Sequence, residues 1–241
     1  MSGRPEPGAS AGGASPAAAT ETTGASAAWP TDQPPVSTSY QGEPGALLVI
    51  ISGPSGVGKD TILRALKERH PDRPRHFVVT YKTRSQRPGE IDGADYHFVD
   101  ESEFRTLRDR GAFLEATQVH GHWAGTPRDQ VGLALAAGRD AILKIDVQGA
   151  ETIKTQVPDA LRIFVAPPSL EALVDRLRGR ATETPHELDR RRSDAAMELA
   201  RQADYDYVVV NEDGQAERTA ERIDEIIMAE RERHADRRVT L

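Results

Sequence analysis

The chain has 241 residues, a formal charge of −7 and no cysteine, which excludes a disulfide framework, a thiolate metal site and a thiol nucleophile. Residues 1–45 include 34 Ala, Gly, Pro, Ser or Thr; with so little to bury, this leader is expected to be disordered and the fold to begin at about residue 46. Mild acidity argues against general nucleic-acid binding, and the longest apolar run, 46–51, is far too short to span a bilayer. With no secretory signal in the leader, a cytoplasmic protein without nucleic-acid or membrane partners is expected.

In chain order, 47–51 is a continuous apolar, β-branched run ending in Ser52-Gly53-Pro54, which reads as a strand buried on both faces. A helix is expected over Lys59–Arg69, with Ile62, Leu63, Ala65 and Leu66 on one face and Pro71 just beyond its end. Further strands are expected at 77–80, 141–147, Leu161–Ala166 and Tyr207–Val210. Asp100 is suited to cap a helix that stops at Gly111, and Pro127 to open one that closes near Gly138. Ser169 can cap Leu170–Arg178, an arginine-rich helix covers 186–202, and the last helix runs over Ala216–Arg233 with a frayed tail at 233–241. Alternating strands and helices predict an α/β fold with a mostly parallel central sheet. Ligands in such folds sit at the carboxyl ends of the strands, so the loops after Ile51, Thr80, Val147 and Val210 are the places to look.

The first of those loops, Gly53-Pro54-Ser55-Gly56-Val57-Gly58-Lys59, fits GxxxxGK between a predicted strand and a predicted helix. Glycines let the backbone wrap a polyphosphate, the exposed amides and the helix dipole favour its charge, and Lys59 can neutralise the terminal phosphates. Asp60 stands where a Ser or Thr hydroxyl usually meets Mg²⁺. Either Asp60 or Thr61 can ligate the ion, or phosphates and water hold it. The loop implies a nucleoside triphosphate and leaves the reaction open.

The loop after the second strand carries Arg84 and Arg87 near the hydroxyls of Thr80 and Thr83, with Tyr96 further on. Two guanidinium forks can chelate a phosphate dianion, and the phenol can add a bond. Together the two loops suggest one phosphate donor and one phosphorylated acceptor. His70, His76, His186 and His234 show no metal-ligand spacing.

At this point the chain resembles the guanylate kinase family. The matching stretches are 51–59, then Thr83-Arg84 with 87–98, then Ile145-Asp146-Val147-Gln148-Gly149-Ala150, Gly179-Arg180-Ala181-Thr182-Glu183-Thr184 and Val210-Asn211. They occur in order across about residues 46–232.

The resemblance implies a P-loop three-layer α/β/α fold with a core over about 46–79 and 140–232, a GMP-binding subdomain over about 80–127 and a helical lid over about 179–192. It implies transfer of the γ-phosphate of MgATP to GMP or dGMP by a monomer or homodimer. Thr80, Arg84, Arg87 and Tyr96 match the positions that hold the GMP phosphate, and Glu115, Thr126 and Asp146 those around the guanine. Glu115 suits guanine N1–H and its 2-amino group, Thr126 suits O6, and the role of Asp146 near the metal or its water stays open. Arg180 and Arg191 match arginines that close over the transferring phosphate, and Asn211 a position beside the adenine. Lys59, Arg84, Arg180 and Arg191 are thus the expected catalytic residues.

Two departures from the family pattern accompany Asp60. Ala124 replaces a second tyrosine that donates to the GMP phosphate, which predicts a raised KM for GMP unless His120 or His122 substitutes. Lys144 replaces an acid two residues before Asp146, and is expected to lie near Asp60 in a compensating exchange of charge. Asp60 also suits a related kinase of ribose bisphosphate, against which Glu115, Tyr96 and Thr126 count. A catalytically inactive binding module of this family is the other rival, and intact Gly53, Gly58 and Lys59 oppose it.

Overall fold

The computed structural model describes residues 39–119, 121–178 and 185–241, with 177, 178 and 185–191 described by their backbone alone. In chain order the elements are β1 (Leu48–Ser52), α1 (Lys59–Arg69), β2 (Arg75–Phe77), β3 (Tyr81–Lys82), β4 (His97–Phe98), α2 (Glu101–Asp109), β5 (Phe113–Val119), β6 (His122–Pro127), α3 (Arg128–Ala136), β7 (Asp140–Lys144), α4 (Val147–Gln156), β8 (Leu161–Ala166), α5 (Leu170–Arg178), α6 (Pro185–Ala200), a 3₁₀ turn at Arg201–Asp204, β9 (Tyr207–Val210) and α7 (Ala216–Arg233).

Two sheets result. The central one runs β2-β7-β1-β8-β9 with every pairing parallel. Successive side chains of a strand point to opposite faces, and here both faces are covered. Leu47, Val49 and Ile51 pack against Ile62 and Leu66 of α1, Leu173 of α5 and Ile223, Ile226 and Ile227 of α7. Leu48 and Ile50 pack against Val131 and Leu135 of α3 and Ile153 of α4. This is the expected three-layer α/β/α core, and burial of β1 on both faces is why its sequence runs apolar without alternation.

The second sheet, β4-β3-β6-β5, is mostly antiparallel and encloses a small aromatic core of Tyr81, Phe104 and Phe113. Its four strands were not expected. β3 and β4 have two residues each, and β5 mixes Glu115, Thr117 and Gln118 into its run, so the apolar pattern is too short and too polar to betray them.

Two strand boundaries also move. The strand expected at 77–80 is Arg75–Phe77, and the chain leaves the sheet after the Val78 amide bonds to Ile142 O at 3.0 Å. The strand expected at 141–147 stops at Lys144, because the Asp146 carboxylate accepts from the Gln148 and Gly149 amides at 3.0 Å each and caps α4. The caps at Asp100 and Ser169 form as expected, with Asp100 accepting from Ser102 N and Glu103 N and Ser169 from Ala172 N.

Both proposed ends need correction. Residues 235–241, expected to fray, run antiparallel to 40–45: Gly42 N donates to Val239 O at 2.8 Å, and Tyr40 and Leu241 exchange both backbone bonds. Val239 is fully buried, and the Tyr40 hydroxyl donates to Asp129 at 2.6 Å. Residues 39–45 therefore belong to the ordered domain, with the Tyr40 ring packed over Gly132. Deleting residues 1–38 is expected to leave the melting temperature unchanged. Deleting 1–45 should lower it by roughly 5–10 °C in a thermal scan, since about 2–3 kcal/mol of pairing and burial is lost.

Candidate active site

The loop between β1 and α1 is built by backbone constraint. Gly53 has φ 138, and a Cβ there would stand 2.2 Å from Val165 O on β8. Gly58 has φ 100, and a Cβ there would meet the Asn211 amide at 2.7 Å. Any side chain at either position would push the loop off the sheet. Gly58 caps α1 without a side-chain bond, leaving the first-turn amides of the helix for an anion. Lys59 Nζ donates to Gly53 O at 2.5 Å and Pro54 O at 3.1 Å. Burial lowers its pKa, opposed by Glu198, Asp60 and Asp146.

A cavity of about 220 Å³ joins this loop to the second anion loop, lined by Lys59, Asp60 and Thr61 on one side and by Arg84, Arg87 and Tyr96 on the other. Arg84 is held in place by a fork with Glu90, at 2.7 and 2.5 Å, and lies 5.3 Å from the centroid of the Tyr96 ring. Glu90 also accepts from the Arg87 amide at 2.8 Å, so one carboxylate orients the whole loop. Asp146 lines the same cavity. His122 and Trp123 stand at its edge, whereas Ala124 is buried in β6 and offers no donor.

Glu115 and Thr126 lie face to face in the second sheet. A register irregularity between Phe113 and Glu115 places Glu115 opposite Thr126, and without it the apolar Leu114 would take that position. The Thr126 hydroxyl donates to Glu115 Oε1 at 2.7 Å, while Oε2 is buried with no hydrogen-bond partner among the described residues. Gly149 of α4 clears the space beside it, since a Cβ there would lie 3.2 Å from the Glu115 carboxyl. Burial raises the Glu115 pKa from 4.5 to about 7, with the Thr126 bond opposing and Asp146 adding to the rise.

The sign follows from linkage. A carboxyl whose folded pKa is raised keeps its proton to higher pH than the unfolded chain does, so stability falls as pH rises from 4.5 to about 7. A ligand presenting a pair of N–H donors to this carboxyl would need the ionised form, so its affinity should rise across the upper end of that window. Guanosine, which carries no titrating phosphate, is expected to bind roughly tenfold tighter at pH 8 than at pH 6 by calorimetry, and Glu115→Gln to remove the dependence.

The other expected residues fall less centrally. Thr80 is buried and its carbonyl takes the His97 amide. Asn211 is buried, donating to Val57 O at 2.8 Å and accepting from Thr219 at 2.9 Å, and so braces the loop from below. It lines a second, open cavity of about 1040 Å³ formed by Gly56, Thr61, Arg176 and the start of α7. Arg176 ties that cavity to Asp213 at 2.7 Å and Asn211 O at 2.9 Å. Arg180 lies outside the described residues, as does the side chain of Arg191 in α6, and His120 is likewise outside them.

Two residues were not anticipated from sequence. Lys82 of β3 lines the cavity, its pKa lowered by burial and raised by Asp146 and Glu115. Glu198 of α6 accepts from the Ser55 amide at 3.3 Å, and burial raises its pKa against the pull of Lys59. No local motif marks either, since Lys82 reaches the site through the unforeseen second sheet and Glu198 through helix packing.

A glycine loop on a helix N-terminus, opening on a second cluster of fixed cations across one small cavity, defines a P-loop phosphoryl-transfer enzyme. The guanylate kinase family model matches residues 46–230. Guanylate kinase of Mycobacterium sp. (strain MCS) is 49% identical over 166 residues, covering 68% of this chain and 83% of that protein. Guanylate kinase of Symbiobacterium thermophilum is 44% identical over 191 residues, covering 79% and 89%. The crystal structure of guanylate kinase from Anaplasma phagocytophilum superposes with a TM-score of 0.63 at 33% identity, covering 78% of this chain and 88% of that one. The chain belongs to the guanylate kinase family, a family of nucleoside monophosphate kinases.

Proposed function

We propose that the protein transfers the γ-phosphate of MgATP to GMP or dGMP, with the two nucleotides meeting across the cavity between the P-loop and the Arg84 loop. The observation that carries this reading is Glu115: a buried carboxylate with one oxygen bonded to Thr126 and the other without a described partner suits the N1–H and 2-amino donors of guanine, and adenine lacks that pair. On binding, the Thr126 hydroxyl turns from Glu115 toward O6.

The residue assignments follow. The backbone amides of the loop that follow Pro54 and the Lys59 ammonium hold the donor phosphates, while Arg84, Arg87 and Tyr96 hold the acceptor phosphate. Thr80 supports the acceptor loop from within. Asn211 shapes the adenine end of the larger cavity through the loop it braces. The acceptor phosphate is already an anionic nucleophile, so no general base is required, and catalysis rests on positioning and charge neutralisation. Arg180 and Arg191 are proposed to close over the phosphoryl group.

Mg²⁺ fits this site as an ion held mainly by phosphate and water. No group of three or more acidic or histidine ligands occurs among the described residues, the Asp60 carboxylate is engaged by Lys144, and Thr61 is exposed at the cavity wall. When bound, the ion would supply charge neutralisation on the donor phosphates. No helix among the described residues is long and apolar enough to cross a membrane. We propose a cytoplasmic enzyme working as a monomer or homodimer.

An ADP-release assay with MgATP tests the reading against GMP, AMP, UMP and ribose bisphosphate. Turnover is expected with GMP. Turnover with the sugar alone would assign the related sugar kinase, and none with any acceptor would favour a binding module. Arg84→Ala is expected to raise the KM for GMP by about 30–100-fold and that for ATP by less than about threefold, since it removes a charge-assisted fork worth about 2–3 kcal/mol from one substrate only. The reverse pattern in steady-state kinetics would mean the loops are exchanged.

A further inference from the structure

Lys144 ends β7 in register with Ile51 of β1, and Asp60 stands in the first turn of α1, so the two side chains converge from adjoining elements on one rim of the small cavity. Lys144 Nζ donates to Asp60 Oδ1 and sits 4.2 Å from the centroid of the Tyr96 ring. The first contact belongs to the donor loop and the second to the acceptor side. The lysine side chain is 13% exposed against 61% for its partner.

A pair with so exposed a carboxylate contributes at most about 1 kcal/mol to stability, which is a weak reason to hold a lysine in this place. Burial works against the ammonium charge, but Tyr96 and Asp60 outweigh it and its pKa is raised, so the group stays protonated. An ammonium has three donors; Asp60 takes one and the Tyr96 hydroxyl a second, which leaves one for a phosphate oxygen. Lys59, by comparison, is tied to two carbonyls of its own loop.

We propose that Lys144 is a further catalytic residue, a fixed cation on the seam between the phosphate subsites that donates to the phosphoryl group in transit, with Asp60 as its positioning residue. In the step, the acceptor phosphate oxygen bonds to the γ-phosphorus as the bond to the β,γ-bridging oxygen breaks. The electron pair leaves with ADP, and Lys144 keeps its proton throughout. This explains why Asp and Lys stand together at 60 and 144: the carboxylate aims the ammonium rather than ligating the metal. The inference rests on the phosphoryl-transfer reading above.

The test uses Lys144→Met, Lys144→Arg, Asp60→Ser and the double variant Asp60→Ser/Lys144→Met in the full chain. Each is measured for melting temperature, kcat, both KM values and affinity for a bisubstrate analogue joining adenosine and guanosine through five phosphates. Lys144→Met is expected to lower kcat by about 100-fold and analogue affinity by at least about tenfold, with each KM changed by less than about threefold. Lys144→Arg should recover part of both losses. Asp60→Ser should lower kcat about tenfold alone and have no further effect in the Lys144→Met background. A fall in melting temperature with kcat and analogue affinity unchanged would overturn the proposal, as would equal effects of Asp60→Ser in both backgrounds. Wild-type enzyme inactive on GMP would remove the underlying reading itself.

Discussion

Lys59→Met is expected to lower kcat by about 10³-fold while the fold and nucleotide binding persist. The ammonium is half-buried and held by Gly53 O and Pro54 O, so it is aimed before any nucleotide arrives and costs little reorganisation when charge develops on the transferring group. One preorganised donor of this kind is worth about 3–4 kcal/mol in the transition state, or two to three powers of ten in rate. Losing the cation also strips Glu198, Asp60 and Asp146 of a compensating charge at the same rim, which raises the barrier further. Methionine keeps most of the stem, so a rapid-quench single-turnover measurement should register a slowed chemical step with a near-native ATP Kd. A kcat within a factor of ten of wild type would mean that the loop binds nucleotide without acting on it.

Glu115→Gln is expected to cut kcat/KM for GMP by about 100- to 1000-fold. The carboxylate would accept from two guanine donors at once, and a primary amide offers one acceptor and places an N–H against the other donor. Two charge-assisted bonds at about 1.5–3 kcal/mol each set the size of the loss. The same change should weaken discrimination against IMP, which lacks only the 2-amino group, from about 100-fold to about tenfold or less. Because burial, reinforced by Asp146, raises the Glu115 pKa to about 7, the glutamine variant should be no less stable than wild type at pH 8, where the buried charge is the costlier state. Competition kinetics with GMP and IMP, paired with melting curves, separate recognition from folding.

How much of this was legible in the sequence depends on what each residue leans on. The P-loop and β1 were readable because their signals are local: fixed glycine spacing, and an apolar run whose two faces meet two helical layers. The helix caps at Asp100 and Ser169 are local too. The second sheet was not readable, since two-residue strands carry no periodicity and the aromatic core of Tyr81, Phe104 and Phe113 gathers residues far apart in the chain. For the same reason Lys82 was missed although it lines the cavity. Asp146 was placed at a strand end where it in fact caps a helix, because one carboxylate can serve either role until its neighbours are fixed. The pairing of Lys144 with Asp60 was anticipated from two substitutions that make sense only together, and the geometry brings them into contact.

The measurement closest to the central claim follows the phosphorus itself. With ATP labelled at the γ-phosphate, Mg²⁺ and GMP in a single turnover, the label is expected in the β-phosphate of GDP, at a rate matching ADP release and with little free phosphate. Label released chiefly as inorganic phosphate, or ADP formed at the same rate without GMP, would contradict transfer between two nucleotides across this cavity.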